Sequence, residues 1–445
     1  MVPPESESNV VETLSVEDLR EAWNLLVHED RLEHFRAVPR HEAEDLFLEL
    51  PARDQAELVL SLPHHERRSW VRLLPPDDVA DLVQEVEPEH REDLLSLLDE
   101  PTRKDVHALL AYAEDDAGGL MNPRYTRVRP EMTADEALTY LRRQASEETA
   151  SLPYAYVLGP DQKLLGVISY REIFLMSPEQ KVAERMRTDL VTAPESMDQE
   201  ELSRLFVANR LIAIPVLDAE GHMKGIVTLD DIVDVVREEA TEDIQKLGGT
   251  AAFDQPYLRL SVKEMIQKRA GWLAVLFLGE SMTAATMGYF EQEIARAVVL
   301  ALFVPLVISS GGNSGGQATT LVIRAMSLGE VRLRDWWRVM RREVLSGLGL
   351  GAILAVIGIA RILLWQAIFH TYGPHHLRIA LTVAVSLVGV VLWGTIVGSM
   401  LPFILRRLKL DPATASAPFV ATLVDVTGLI IYFSAARVIL GGVLL

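Results

Sequence analysis

The chain has 445 residues, of which 43 are basic and 63 are acidic, for a formal net charge of −20. From Lys263 onward there are 16 basic and 9 acidic residues, so the first 262 residues carry a net charge of −27. So acidic a region excludes nucleic acid as a partner, because phosphates require a basic footprint. The absence of cysteine excludes disulfides and thiolate metal sites.

The beginning of the chain predicts a cytoplasmic region of short helices. Residues 1–20 are polar and acidic, which indicates a flexible tail rather than a signal peptide. Proline is tolerated in the first turn of a helix but not in its interior, so each recurring proline predicts a new helix. These prolines recur every 12 or 13 residues, at Pro51, Pro63, Pro75, Pro88 and Pro101. Stacking such units predicts an all-α superhelical N domain over residues 21–130.

A second, longer repeat predicts a mixed α/β region over residues 131–242. Each half combines one helix with two β-rich runs joined by a glycine turn. The helices are Ala134–Arg143 and Gln199–Asn209, and the strands are Tyr154–Leu158, Leu164–Ser169, Ile212–Leu217 and Gly225–Thr228. This pattern resembles a tandem CBS pair, a regulatory module that often binds adenine nucleotides.

Thr228 and Asp231 resemble the hydroxyl and the carboxylate that hold a ribose in nucleotide-binding CBS pairs. The resemblance predicts ATP or another adenine nucleotide as a cofactor at these residues. The alternative is that Thr228 is the N-cap of the next helix and Asp231 an acid in its first turn.

A connecting helix over 243–270 and a membrane domain over 271–445 are predicted next. The domain contains five apolar segments, each long enough to span a bilayer. They cover 271–290, 294–323, 343–369, 377–405 and 413–441. Lys and Arg collect before the first segment, between the second and third, and between the fourth and fifth. The positive-inside rule therefore predicts a cytoplasmic N-terminus and an extracytoplasmic C-terminus.

Asp425 lies in the middle of the last apolar segment. A carboxylate at membrane depth is costly unless it faces a partner or a watery cavity, so such residues are candidates for function. The neighbouring Pro418, Ala421 and Gly428 are typical of a helix that packs closely or exposes its backbone to a pore. A neutral acid hydrogen-bonded between helices is the alternative.

Four motifs in this order resemble the MgtE family of magnesium channels. They are Ala117-Gly-Gly-Leu-Met121, Ala240-Thr-Glu-Asp-Ile-Gln-Lys-Leu247, Gly311-Gly-Asn-Ser-Gly-Gly-Gln317 and Pro418-x-x-Ala-Thr-x-x-x-Asp-x-x-Gly428. The resemblance implies a multi-pass homodimer in the inner membrane of a bacterium, with one pore on the two-fold axis. Asp425 of each subunit, with the Ala421 carbonyl, would then hold a hydrated Mg²⁺, an ion that is often bound through one or two carboxylates and water.

The resemblance also implies regulation by Mg²⁺ on the cytoplasmic side. In the family, bound ions bridge the N domain, the CBS pair and the connecting helix, which then plugs the pore. The residues at matching positions are Asp77, Asp81, Asp218, Glu220, Asp230, Asp254 and Asp411. Ala417 and Gly316 stand where relatives can carry an amide, which predicts looser recognition of the water shell of the ion.

Two other functions fit the sequence. One is a CBS-regulated transporter of another cation, such as Co²⁺ or Na⁺, and the other is a nucleotide-sensing membrane receptor that transports nothing. An enzyme is not expected, because the chain has no Gly-x-x-x-x-Gly-Lys-Ser/Thr motif and no spacing typical of a hydrolase.

Overall fold

The computed structural model describes residues 14–144, 153–253 and 255–444. The chain divides into two compact units, Met1–Arg237 and Glu238–Leu445. The first unit contains short helices followed by two small sheets, and the second contains the long apolar helices. Within these described ranges, five helices are long and apolar enough to cross a membrane, which confirms the number of predicted spans.

The first unit begins with a stack of short helices. They are α1 Val16–Ala22, α2 His28–Ala37, α3 Arg40–Glu49, α4 Ala52–Ser61, α5 His64–Val71, α6 Pro76–Gln84, α7 Pro88–Ser96 and α8 Glu100–Leu109. Pro51, Pro63 and Pro75 are the N-cap residues of α4, α5 and α6, and a proline lies in the first turn of α7 and of α8. The prediction of an all-α superhelix from proline spacing is therefore confirmed.

The mixed α/β region follows in the same unit. Its elements are β1 Arg127–Val128, α9 Ala134–Gln144, β2 Tyr154–Leu158, β3 Leu164–Ser169, α10 Tyr170–Leu175, β4 Ala193–Pro194, α11 Gln199–Asn209, β5 Ala213–Leu217, β6 Met223–Thr228 and α12 Leu229–Leu247. The strand orders are β1-β2-β3 and β4-β5-β6, each with a parallel first pair and an antiparallel second pair. Both sheets have a register shift at the equivalent place, which supports the predicted internal repeat.

The two halves of this region exchange their entering segments. Asn122, which precedes the first half, pairs with Ile226 in β6, whereas Arg187 pairs with Val167 in β3. A glycine is needed where each exchanged segment passes the sheet of the other half. A Cβ at Gly225 would lie 2.7 Å from the Asn122 carbonyl oxygen, and one at Gly166 would lie 2.8 Å from the Arg187 carbonyl oxygen. The exchange brings Asn122 and the superhelix that precedes it to the second half of the repeat.

The second unit is a bundle of long helices. They are α13 Val262–Tyr289, α14 Glu291–Arg296, α15 Val304–Ser327, α16 Trp336–Phe369, α17 His376–Arg407 and α18 Ala417–Leu440. Glycines let α15 and α17 pack backbone to backbone. A Cβ at Gly394 or Gly398 would overlap the carbonyl oxygen of Gly311 or Gly315. This contact requires small residues, as is common between membrane helices.

The connecting helix is α12, and its bounds differ from the predicted 243–270. It runs without a break from the end of β6 and stops at Leu247, because Gly248 follows and Gly249 has a φ of +74° that favours glycine. The remaining stretch contains only a short 3-10 helix, Tyr257–Arg259, before α13 begins. The predicted segment is therefore shared by the end of α12, an irregular linker and the start of α13.

Candidate ion pathway and acidic clusters

Asp425 lies inside the helical bundle, on α18. The helix begins at Ala417 after Ser416, whose hydroxyl accepts a hydrogen bond from the Phe419 amide. Eight residues at 1.5 Å each place Asp425 about 12 Å along the helix. Its side chain is half-buried, and the carboxyl group of Glu280 on α13 lies close enough to interact with it electrostatically. Two carboxylates this close repel each other, and a cation between them relieves that repulsion, so this pair suits a cation.

Small residues bring α15 against α18 beside this pair. A Cβ at Gly312 would lie 3.2 Å from the Ala421 Cβ and 3.8 Å from Asp425 Oδ1. One turn further on, a Cβ at Gly316 would lie 3.3 Å from the Ala417 Cβ. Ala421 is internal to α18, so its carbonyl oxygen already faces the amide of Asp425 and has one lone pair left for another donor.

A polar stripe on α15 runs next to these glycines. Ser309, Asn313 and Gln317 are exposed and four residues apart, so they share one face of the helix. The Asn313 amide donates to the Ser309 hydroxyl at 3.4 Å. In the sequence this segment served only as a family motif, and its two amides were missed. The signal that could have found them is their four-residue spacing in an otherwise apolar helix.

The end of α12 is held at one end of the bundle by charged contacts. The Lys246 ammonium lies 2.6 Å from Asp411 Oδ2 and also pairs with Glu242. The other Asp411 oxygen accepts from the Ala413 amide at 2.8 Å. Asp411, a predicted magnesium ligand, thus already bonds through both oxygens, one of them to a lysine.

The linker after α12 continues this contact toward α18. Leu247 packs with Ala413 and Ala415, which precede α18. A Cβ at Gly249 would lie 2.7 Å from the Trp272 indole nitrogen and 3.4 Å from Pro418 Cγ. The linker therefore lies directly against the first turn of the helix that carries Asp425.

The first unit contains an acidic cluster made of Asp77, Asp78 and Asp231. One carboxylate oxygen from each lies within 4.8 Å of the others. Asp77 and Asp78 are in the first turn of α6, and Asp231 is in the first turn of α12. The Asn122 amide donates to Asp77 at 3.1 Å, so the exchanged segment also supports the cluster. Asp77 is buried and the other two are half-buried, and such convergence of carboxylates suits oxygen-binding cations.

Burial and repulsion from neighbouring carboxylates raise the pKa of all three acids. Burial is the larger cause for each, and it raises the pKa of Asp78 to about 7 and that of Asp231 to about 6. The pKa of Asp77 also lies well above its ordinary value. Two other predicted ligands add to these shifts by repulsion. Asp81 raises the pKa of Asp77, and Asp230 raises the pKa of Asp78. A divalent cation bound between these carboxylates would offset their repulsion, as a bound proton also does.

A second group, Asp218, Glu220 and His222, forms in the turn between β5 and β6. One ligand atom of each lies within 4.8 Å of the others. Asp218 accepts from the amides of Glu220 and His222, and Lys224 Nζ lies 3.2 Å from it. Burial acts to raise the pKa of Asp218, but the bonds from His222 and Lys224 together hold it below its ordinary value. The carboxylate thus already has Lys224 as a cationic partner and His222 as a hydrogen-bond partner.

The predicted nucleotide residues bond each other. The Thr228 hydroxyl donates to Asp231 Oδ2 at 2.7 Å, and the Thr228 amide approaches the same oxygen at 3.2 Å. The first half of the repeat has the same arrangement in the capping box of Ser169 and Glu172. Asp231 therefore caps α12 and also belongs to the acidic cluster. Asp254, the remaining predicted ligand, lies outside the described residues.

Fold and site together define a multi-pass membrane protein that carries a CBS pair. The chain matches the family model described as "Divalent cation transporter" over residues 304–435. The "MgtE intracellular N domain" matches over 14–115, and the "CBS domain" matches over 117–178 and 182–238. The chain belongs to the MgtE family.

Named relatives span most of the chain. Magnesium transporter MgtE of Thermus thermophilus is 41% identical over 336 residues, covering 76% of this chain and 72% of the relative. The protein of the same name from Bacillus subtilis is 35% identical, covering 74% and 70%. A solved structure, the cytosolic domain of the Mg²⁺ channel MgtE in complex with ATP, is 38% identical with a TM-score of 0.46, covering 50% of this chain and 91% of that one.

Proposed function

We propose that the chain is a homodimeric magnesium channel in which the Asp425 carboxylates of two subunits bind hydrated Mg²⁺. The observation that carries this proposal is the half-buried carboxyl of Asp425, about 12 Å along a membrane-length helix and beside a polar stripe. An acid at such a depth is functional by default. Membership of a family whose curated members are named magnesium transporters favours Mg²⁺ over Co²⁺ or Na⁺.

The residues near Asp425 suit an ion that keeps its water. Mg²⁺ loses its waters reluctantly and is usually bound through few carboxylates. The carboxylates of Asp425 and Glu280 and the amides of Asn313 and Gln317 offer acceptors to such waters. Ala417 and Gly316 offer none, so the selectivity of this site rests on fewer polar groups.

Cytoplasmic Mg²⁺ closes the channel in this proposal. The cluster of Asp77, Asp78 and Asp231 is the strongest candidate for the regulatory ion, because its three carboxylates converge and repel each other. Helix α12 carries Asp231 in its first turn and Lys246 in its last. An ion that fixes the start of this helix favours one position of its end, as any ligand that prefers one state shifts the population toward it. The N-terminus is cytoplasmic in this scheme and the C-terminus extracytoplasmic.

The CBS pair also offers a nucleotide site at Thr228 and Asp231. Because Asp231 bonds Thr228 and lies within 4.8 Å of Asp77 and Asp78, a ribose at this position would compete with the regulatory cation. Binding of ATP to the full-length protein, measured by calorimetry with and without Mg²⁺, tests this second ligand. Equal affinities in both conditions would contradict the competition.

Replacement of Asp425 tests the pore assignment. We expect Asp425→Asn to abolish Mg²⁺ uptake into proteoliposomes, because an amide cannot balance a divalent charge. Glu343→Gln is the matched control, since it removes an acid from another membrane-length helix, α16. Unchanged uptake in Asp425→Asn, with Glu343→Gln equally active, would exclude the proposed ion site. If Co²⁺ or Na⁺ competes for wild-type uptake as well as Mg²⁺ itself does, selectivity for Mg²⁺ is rejected instead.

A further inference from the structure

An apolar groove lies between the start of α16 and the end of α17, away from Asp425. Its volume is about 660 Å³. It is lined by Leu333, Trp336, Met340, Met400, Phe403 and Ile404. Leu333, Trp336 and Ile404 are 42%, 48% and 53% exposed, so the groove opens to the surroundings of the bundle. In a membrane-spanning protein those surroundings are lipid.

Two arginines complete the lining of this groove. Arg334 precedes α16 and Arg407 ends α17, so both lie at an end of the apolar spans, at the interfacial level. Within the part of the chain that the structure describes, neither guanidinium has an ion-pair partner. The nearest acid in sequence, Asp335, is occupied by the Arg332 amide at 3.2 Å and by Arg338 at 3.6 Å. The groove therefore combines an apolar wall with two positive charges that no nearby acid among the described residues balances.

The surface beside the groove has the composition of a membrane–water interface. Trp336 and Trp337 are adjacent and exposed, and tryptophan is enriched where acyl chains meet head groups. The N-terminus of the long helix α16 also lies here, and its dipole adds positive potential. Basic pockets between membrane helices are suited to anionic head groups.

From this combination we propose that the groove is a specific site for one anionic phospholipid. The phosphate lies against Arg334 and Arg407, where a guanidinium can donate two parallel hydrogen bonds to it. One acyl chain follows the apolar wall formed by Met340, Met400 and Phe403. A zwitterionic lipid fills the same wall but gains less from the two arginines, because its head group carries its own positive charge.

Native mass spectrometry of the full-length protein, titrated with phosphatidylglycerol and with phosphatidylcholine, tests this site. Each arginine near an anionic lipid surface is worth about fivefold in affinity. We therefore expect wild type to prefer phosphatidylglycerol and the Arg334→Gln/Arg407→Gln variant to lose roughly 25-fold of that preference. A Met340→Trp variant, which fills the apolar wall, should weaken binding of both lipids.

The matched control is Arg338→Gln/Arg406→Gln. It removes one arginine from α16 and one from α17 at the same end of the bundle, but neither residue lines the groove. Retained preference in this control supports a site, whereas an equal loss would reduce the effect to general surface charge and overturn the proposal. Photo-crosslinking from residue 340 supplies a second reading. Crosslinks to lipid support the proposal, and crosslinks to a second copy of the chain would make the groove a protein interface instead.

Discussion

Gly312 is the residue at which one added carbon would most directly disturb the candidate ion pathway. Its backbone contacts Ala421 and lies near Asp425, so it fixes the separation of α15 and α18 at the acid. A Cβ at this position would lie 3.2 Å from the Ala421 Cβ and 3.4 Å from its Cα. The second contact is with backbone, which cannot move away as a flexible side chain can.

We expect Gly312→Ala to lower Mg²⁺ uptake and to destabilise the bundle by about 1–3 kcal/mol through overpacking. The matched control is Gly349→Ala, a glycine in α16 whose added Cβ meets no atom within 4 Å. That change should stabilise its helix by about 0.5–1 kcal/mol and leave uptake unchanged. Proteoliposome flux and thermal unfolding measure the two effects. Wild-type flux in Gly312→Ala would argue against this helix contact as part of the pathway.

At the scale of elements, α12 and its linker connect the acidic first unit to the membrane helices. The end of α12 is held by the ion pair of Lys246 and Asp411, whose side chains are 27% and 37% exposed. A partly exposed pair contributes only about 0.2–1 kcal/mol, so the contact can open readily. The linker itself exposes Tyr257 and Leu258 by 73% and 71%, which makes it a substrate for proteases.

We expect millimolar Mg²⁺ to protect the linker around residues 248–260 from chymotrypsin, because bound ions would favour the state in which α12 is docked. Asp411→Asn should speed cleavage about two- to fivefold, as expected for loss of a partly exposed ion pair. Glu330→Gln, which removes an exposed charge from the loop between α15 and α16, is the control. Equal cleavage of the wild-type protein with and without Mg²⁺ would contradict the gating proposal.

At the scale of the whole molecule, charge is distributed so that an ion bound at the proposed acidic site would compete with protons. The first 262 residues hold a net charge of −27, and three of their acids converge at the start of α12. An acid whose pKa is raised in the folded state takes up a proton there before it does so in the unfolded chain. Its contribution to the free energy of unfolding therefore falls as the pH rises between the two pKa values.

For Asp78 that interval runs from its ordinary value of 3.8 to about 7. Without divalent ions, we expect the unfolding temperature of the first unit in the full-length protein to fall across this interval. Mg²⁺ should raise it more at pH 8 than at pH 6, since at pH 6 the ion must displace protons. Asp78→Asn should weaken both effects, whereas Asp93→Asn, an exposed acid on α7, should not. Equal stabilisation by Mg²⁺ at both pH values would count against ion binding at this cluster.

Local patterns in the sequence determined most of the elements. Proline in the first turn located the short helices, strand runs such as Tyr154–Leu158 matched the structure residue for residue, and apolar length revealed five spans. These features depend on neighbours within one or two turns of the chain, because backbone sterics and local burial fix them. The length of the last apolar segment likewise located Asp425 near the middle of a membrane-length helix.

The tertiary structure alone decided which distant residues meet. Asp231 joins Asp77 and Asp78, and Lys246 occupies the Asp411 carboxylate that the family resemblance assigned to Mg²⁺. Glu280 meets Asp425 for the same reason, since small residues set how closely α13, α15 and α18 approach. Such contacts depend on the packing of helix faces far apart in sequence, and no local pattern specifies that packing. Sequence thus determined the elements and the depth of the acid, while packing decided its partners.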